Sequence, residues 1–485
     1  MTFVEKFKEA QNGKRFSYLF TIIIGLGFFT TAITWAIYNV YIPTYIEDYL
    51  EAIWGELAFA TTIIGFIMVL DNIAAVLMQP WIGNISDNTW KRYGRKKKGR
   101  RMPFVMVGLP IGAVFFILLG VFGFDIFSNF ESSLMLGFIL LLVTIGGFNI
   151  SMALFRSPVV SLMPDLVAKE YRSRGNGLIN LLGGVGALIG LFVFPMIEKV
   201  NTIVAFILIG VILILCLVAL YFSIKEPEEL TDVIKSEPVK ILPALKEIFA
   251  RKDKSMIFIL FAIFSWFFGY NVVETYFSLY GVNVLLMEKA DASLILGVLA
   301  LTFILFAFPA GLIAKKIGRK QSILIGLGII IVSLGTASIF SLVSIPALDA
   351  RTIFIGMDIP YVAILDAGCF FFTGIGWALV NINSIVIVWE LAGKEKIGMG
   401  TGIYYFFSAA AAITGPLIIG GILDLLNLGL DLQAGEKYKF LFIFATLFFL
   451  IASILVLFVK KTGVEGESGD LPPEGKLENI EPLAE

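Results

Sequence analysis

Apolar stretches of about 20 residues, each long enough to cross the hydrocarbon core of a bilayer, recur about twelve times along this chain. Their approximate cores are 16–40, 58–83, 103–124, 133–158, 176–197, 202–223, 256–280, 292–314, 321–343, 361–389, 399–423 and 439–459. In lipid every backbone N–H and C=O must find its partner inside the protein, so spans of this length are expected to be helices. Glycine and proline interrupt several of them, as at Pro158, Gly183-Gly184 and Gly415-Pro416, and packed neighbours can take up the backbone groups this frees. The fold expected is therefore an all-α membrane protein.

Composition narrows the function. Of 485 residues 58% are hydrophobic and 15% charged, against about 25% charged in a typical soluble chain. The formal net charge of −1 argues against a nucleic-acid partner, which needs a concentrated basic face. Cys216 and Cys369 both fall inside apolar stretches, so neither a disulfide framework nor a metal-ligand spacing is present. No metal and no cofactor are expected. The polar start, residues 1–15, precedes a span too long for a cleavable signal and is expected to stay as a cytoplasmic leader.

Loop charges give an orientation. Lys6, Lys8, Lys14 and Arg15 precede the first span, and the second-to-third connection holds Lys91, Arg92, Arg95, Lys96, Lys97, Lys98, Arg100 and Arg101. The loop between carries Glu47, Asp48, Glu51 and Glu56 with no basic residue. Lys169, Arg172 and Arg174, and later Lys315, Lys316, Arg319 and Lys320, continue the alternation. The positive-inside bias then places both termini in the cytoplasm of a multi-pass cell-membrane protein. A polar stretch at 225–254, with Pro227, Pro238 and Pro243, splits the spans into two sixes, 16–224 and 255–461. The tail, 462–485, is acidic and rich in Gly and Pro, with too little apolar content to offset the entropy of ordering it.

A weak internal repeat joins the halves. Pro80 and Gly83, then Asp87 and Gly94-Arg95, correspond to Pro309 and Gly311, then Lys315-Lys316 and Gly318-Arg319-Lys320. Two pseudo-symmetric six-helix bundles related in this parallel sense point to a transporter whose site lies between them.

Charges inside the spans mark candidate residues. Asp71 sits in the apolar stretch Thr61 to Gly83, where a carboxylate costs roughly 2.5–3.5 kcal/mol to insert. Such groups face a cavity or a partner. The chain has no histidine, so a proton carrier near neutral pH would be a carboxylic acid. Asp71, with Asn72 beside it, is the leading carrier, and a structural ion pair or hydrogen bond between helices is the alternative. Arg156 in the fourth span, with Asn149 on the same helical face, needs a partner, for which Asp71 and Glu274 are candidates. Its guanidinium also suits sugar hydroxyls, although Pro158 leaves open a broken helix end whose carbonyls it would meet. Asn271, Glu274 and Ser278 form a polar stripe in the seventh span, suited either to solute binding or to gluing helices together. Trp35, Tyr38 and Asn39 form another in the first span, and Trp377, Asn381 and Ser384 a third in the tenth, with Tyr404 opening the eleventh. Asp366 falls nearer the outer end of its span and reads as an entrance or structural charge.

The segment Gln79-Pro80-Trp81-Ile82-Gly83-Asn84-Ile85-Ser86-Asp87, continuing through Arg95 to Gly99-Arg100-Arg101-Met102-Pro103-Phe104, resembles the second-to-third loop signature of the major facilitator superfamily. The Gln-Pro opening and Arg-Arg-x-Pro-Phe close are similar to the sucrose-transporter-like branch of the glycoside–pentoside–hexuronide:cation symporters. Met163-Pro164-Asp165-Leu166 with Arg172, Arg174 and Asn176, and Asn381-Ile382-Asn383-Ser384 with Gly402-Ile403-Tyr404-Tyr405-Phe406, add to it. The resemblance implies a cation-coupled sugar symporter working by alternating access, with a disaccharide or other glycoside as solute. Gln79 stands where melibiose-type members carry an Asp, which favours protons over sodium as the coupling ion. On the residues' own placement the candidate sites are Asp71, Glu274 and Arg156 for coupling, and Trp35, Tyr38, Asn39, Asn72, Gln79, Asn149, Arg156, Asn271, Glu274, Trp377, Asn381 and Tyr404 for solute. Asp87, Arg95, Asp165, Arg172, Arg319 and Glu390 are suited to gating salt bridges at the cytoplasmic ends, although Lys315 stands where the second half would carry the acid. A membrane-embedded enzyme is disfavoured by the lack of histidine and of any nucleophile or metal cluster. A sodium-coupled sugar symporter and a lipid or lysolipid carrier on the same fold are the rivals. A monomer suffices for alternating access.

Overall fold

The computed structural model describes residues 16–93, 99–123, 133–167, 171–224, 226, 241–343, 346–354, 356–393, 396–433 and 435–460, without the side chains of 88–93, 172–173 and 241–242. The expected leader (1–15) and tail (462–485), Arg95 and the Arg172 side chain lie outside this description.

Among the described residues, twelve helices are long and apolar enough to cross a membrane. They are α1 (Tyr18–Trp54), α2 (Ala60–Tyr93), α3 (Met102–Val121), α4 (Leu134–Leu166), α5 (Arg172–Leu188, extended to Glu198), α6 (Thr202–Ser223), α7 (Ser255–Asn283), α8 (Lys289–Ile317), α9 (Arg319–Leu342), α10 (Tyr361–Ala392), α11 (Ile397–Leu430) and α12 (Leu441–Leu457). Shorter elements between the spans were not foreseen. A short amphipathic helix, Ile241–Ala250, lies in the linker, and a hairpin of β1 (Arg351–Phe354) and β2 (Met357–Pro360), in antiparallel register, joins α9 to α10.

Helix outer faces remain apolar, with Phe308, Val332 and Leu215 among the exposed side chains, as a lipid-facing surface requires. Inside, small residues let backbones approach. A Cβ on Gly326 of α9 or on Gly376 of α10 would lie 2.6 Å from the other's carbonyl oxygen, so these two helices cross at a contact only glycine permits. Proline shapes a second feature. Pro195 lacks an N–H and its ring crowds the carbonyl four residues back, that of Leu191, and α5 widens into a π turn at Ile189–Val193 there. The Leu191 carbonyl accepts instead from Ser293 Oγ of α8 at 3.3 Å, a bond between the two halves. By contrast, α4 runs unbroken through Pro158, so Arg156 does not sit at a helix end as its neighbour had allowed.

Six helices form each half, and the halves meet unevenly. Ion pairs that join them, Lys289 to Asp48 at 2.7 Å and Lys199 to Asp291 at 2.6 Å and Glu288 at 3.0 Å, all lie at the end away from the linker, here termed the far end. Lys289 also sits 4.8 Å above the Tyr45 ring. At the linker end the pairs Arg319–Glu390, Arg101–Asp165 and Arg101–Asp87 each stay within one half. The molecule is thus closed at the far end.

Replacing Gly376 by Leu should overpack the α9–α10 crossing, at a cost of about 1–3 kcal/mol or more. Thermal unfolding in detergent should show a clear drop in midpoint. Gly328→Ala, on the same helix as Gly326 but with nothing near its added methyl, should leave the midpoint almost unchanged.

Candidate functional site

Where the halves part, two adjoining cavities open between them, of about 220 and 180 Å³. Helical spacing decides which side chains reach them. On α1, Ala32, Trp35, Ala36 and Asn39 recur at three- and four-residue steps and present one face to the seam. Met68, Asp71 and Asn72 do the same on α2, and Asn271, Glu274 and Thr275 on α7.

The larger cavity is the polar one. Asp71, Asn72, Arg156, Asn271, Glu274, Asn39, Thr275 and Trp35 face it. Asn39 Nδ2 donates to Glu274 Oε1 at 3.2 Å, bridging the two halves, and Asn72 Nδ2 donates to Asp71 Oδ1 at 2.8 Å. Arg156 makes no direct ion pair with either carboxylate among the described residues, although it lies within electrostatic reach of Asp71. Its fork of N–H donors is therefore available to a solute, with two acids and three amides around it.

The smaller cavity shares Trp35, Asn39 and Glu274 with the first, and is otherwise walled by Tyr270, Thr373 and aliphatic side chains such as Leu191, Leu296 and Leu299. Trp35 Nε1 and Thr373 Oγ1 are buried without a hydrogen-bond partner. An unpaired buried donor costs free energy, so both are weak points in the cavity wall. The aromatic walls are fixed from behind: Trp35 packs edge-on to Tyr38 at 5.1 Å, and Tyr270 stacks on Trp377 at 4.3 Å.

These contacts sort the expected solute residues. Trp35, Asn39, Asn72, Asn271, Glu274 and Arg156 line the cavities together with Asp71. Tyr38, Asn149, Trp377, Asn381, Tyr404 and Gln79 line neither. Tyr38 is fully buried in the first half, 3.4 Å from Asn149 Nδ2, and Trp377 stands behind Tyr270. Tyr404 hydrogen-bonds Ser384 at 2.9 Å within the second half, while Asn381 and Gln79 are half-buried. Tyr38, Asn149, Trp377 and Tyr404 are thus placed as supports or packing rather than as cavity walls. Ser278, the third member of the α7 stripe, is buried, and Asp366 is no entrance: it is fully buried in the second half and accepts from Tyr280 OH at 3.1 Å. Tyr270, Thr275 and Thr373 are cavity residues that the sequence reading missed. A threonine or tyrosine in an apolar span carries no signal by itself, because either is as common in helix packing.

Of the residues expected to gate, Asp87 and Asp165 pair at the linker end with Arg100 and Arg101, which the sequence had marked only as loop charges. Asp165 accepts from Arg100 Nη2 at 2.6 Å and from Arg101 Nε at 3.0 Å, and Asp87 lies 2.6 Å from Arg101 Nη2. Glu226, just after α6, was not anticipated. Its carboxylate accepts from the backbone N–H groups of Arg100, Arg101 and Met102 at 2.7–2.9 Å, closing the first turn of α3, whose amides have no helical partner. Burial raises its carboxyl above the ordinary range, against those three donors. In the second half Arg319 pairs with Glu390 and reaches Asn383 Oδ1 at 3.5 Å.

Twelve helices among the described residues that are long and apolar enough to cross a membrane, in two halves with a charged cavity at the seam, have the architecture of a multi-pass membrane transporter. The chain belongs to the Major Facilitator Superfamily, whose family profile matches residues 24–366. No curated protein matches the sequence. Among solved structures, a D-xylose-proton symporter superposes with a TM-score of 0.63 at 16% identity, covering 92% of this chain and 99% of that one. The nucleoside transporter NupG gives 0.61 at 14% over 91% and 99%. A bacterial homolog of the human lysosomal transporter Spinster, inward-facing and occupied, gives 0.64 at 12% over 91% and 96%. At these identities the likeness is one of fold.

Because Arg101 and Asp165 are largely shielded from solvent, Asp165→Ala should leave a cation short of its partner and lower stability by about 1–3 kcal/mol, less than for a fully buried pair. A double-mutant cycle with Arg101→Ala, read from unfolding midpoints, should give a coupling of about 0.5 kcal/mol or more; additive effects would remove the pair from the account.

Proposed function

We propose that this chain moves a sugar, a disaccharide or other glycoside, across the cell membrane by symport with protons, through alternating access. What carries the reading is the convergence of Asp71, Arg156 and Glu274 on one cavity between the halves. With both acids ionised that cavity holds one more negative than positive charge. A single proton cancels the excess. A neutral, solute-filled cavity can be sealed and reopened on the other side, whereas an unpaired charge is costly to enclose. Asp71 is the proposed proton carrier, and Glu274 the acid that binds solute and shares the coupling.

The cavity chemistry suits a polyhydroxylated solute. Arg156 and the amides of Asn39, Asn72 and Asn271 offer donors, the carboxylates accept, and the faces of Trp35 and Tyr270 can stack on sugar CH groups. Likeness in fold to a D-xylose-proton symporter agrees with this choice. The loop charges put the linker and both termini in the cytoplasm, so the arrangement described here would be open inward. Asp87, Asp165, Arg100, Arg101, Arg319 and Glu390 would then re-pair between halves when the cytoplasmic end closes. Gln79, which lines neither cavity, gives no support to a sodium site built at that position.

Uptake by purified protein in liposomes, across a panel of sugars with proton and sodium gradients imposed separately, tests the proposal. An inward proton gradient should drive accumulation of at least one glycoside, and a sodium gradient alone should not. Asp71→Asn should abolish accumulation while leaving solute exchange measurable; normal accumulation by this variant would remove Asp71 as the carrier. Gradient-independent lipid movement in place of sugar uptake would favour a lipid carrier. Arg156→Gln, which removes charge-assisted hydrogen bonds of about 1.5–3 kcal/mol, should raise KM roughly ten- to hundredfold.

A further inference from the structure

At the far end a carboxylate of one half holds the first turn of a helix in the other. Asp424, near the end of α11, is fully buried and accepts four hydrogen bonds. They come from the backbone N–H of Thr61 at 3.2 Å and of Thr62 at 2.7 Å, from Thr62 Oγ1 at 2.7 Å, and from Lys437 Nζ at 3.1 Å. Thr61 and Thr62 open α2, where backbone amides have no partner within the helix and the helix dipole favours a negative charge. A side chain from the second half therefore caps a helix of the first.

The seam around this cap is built for close contact. A Cβ on Gly65 would lie 2.8 Å from the Pro416 carbonyl oxygen, and one on Gly420 would lie 2.8 Å from that of Thr61. Tyr276 OH donates to both carbonyls, at 2.6 Å to Pro416 and 3.3 Å to Thr61. Opening the far end must part these surfaces. Three of the four donors to Asp424 then leave with α2. The fourth, Lys437, belongs to the second half and stays, so the carboxylate is never stranded without a cation. Glu47 of α1 differs: Asn283 Nδ2 and Tyr438 OH, which donate to it at 2.6 Å each, both lie across the seam. Thr62 and Asp71 are nine residues apart on one helix, about 14 Å along its axis, so movement of the capped turn is carried to the acid at the cavity.

We propose that Asp424 is a positioning residue for the Asp71 site: its cap on the first turn of α2 keeps the cavity closed toward the far end, and transfer of the carboxylate to Lys437 and water accompanies opening. The inference rests on the alternating-access part of the proposed function, and it requires neither the sugar nor the proton.

Distances between spin labels test it directly, with Cys216 and Cys369 replaced by alanine. One pair, at Glu56→Cys and Gln433→Cys, reports the far end, and a second, at Asn176→Cys and Lys315→Cys, reports the linker end; all four positions are exposed. In the otherwise native protein the far-end pair should be predominantly close. Asp424→Ala should raise its long-distance population several-fold and shorten the linker-end pair in step. Thr62→Val, which removes one donor and keeps the two backbone ones, should shift both pairs in the same sense by less, and it provides the test should Asp424→Ala not fold. Unchanged distributions at both ends in a folded Asp424→Ala protein, or in Thr62→Val where Asp424→Ala is lost, would overturn the proposal. A shift in these distances from a protein that transports no sugar would uphold the latch while the symport reading fails.

Discussion

A charge in a membrane interior must be paired or wet, and in this fold the seam between the two halves is where that condition is met for Asp71, Arg156 and Glu274. The first sits on α2, the second on α4 and the third on α7, yet all three face one cavity. Asn39 joins the halves across it through Glu274. Asp366, enclosed by the second half away from the seam, instead meets a tyrosine hydroxyl and pairs with no cation among the described residues. Polar groups at the cavity are therefore held in a state that a solute or a proton can complete.

The two ends of the molecule treat charge differently. At the linker end, cations and carboxylates pair inside each half, and Glu226 fastens the start of α3 to the end of α6. At the far end, pairs cross from half to half, and the widened turn of α5 offers the Leu191 carbonyl to α8. One set of bonds stiffens the bodies and the other fixes how they lean together. Parting the far end need break only the second.

Much of this was legible in sequence, for a physical reason. Span length is set by bilayer thickness, so twelve helices followed from counting apolar residues, and charges inside them stood out as costly. Spacing along α1 and α7 placed Asn39, Asn271 and Glu274 on inward faces, and the cost of a bare charge in lipid placed Asp71, where the structure has them. What spacing could not do was separate two kinds of inward. A residue facing the seam and one facing its own bundle's core share the same periodicity, which is why Tyr38, Asn149, Trp377 and Tyr404 read as cavity residues and are found behind it or in packing. Pro158 left open a break in α4 that does not occur, since a packed helix tolerates the missing bond. Glu226, Asp424 and Thr373 were passed over because their roles depend on partners far away in the chain, and no local pattern encodes those.

The proposed symport requires the acid in the seam to exchange its proton with the medium as solute binds. Calorimetric titration of the purified protein with its sugar, repeated at one pH in buffers of different ionisation enthalpy, measures that exchange without any membrane gradient. Proton uptake linked to sugar binding in the native protein, and lost in Asp71→Asn while sugar still binds, is the result this account predicts. Sugar binding with no proton exchange, or with the same exchange in Asp71→Asn, would contradict it.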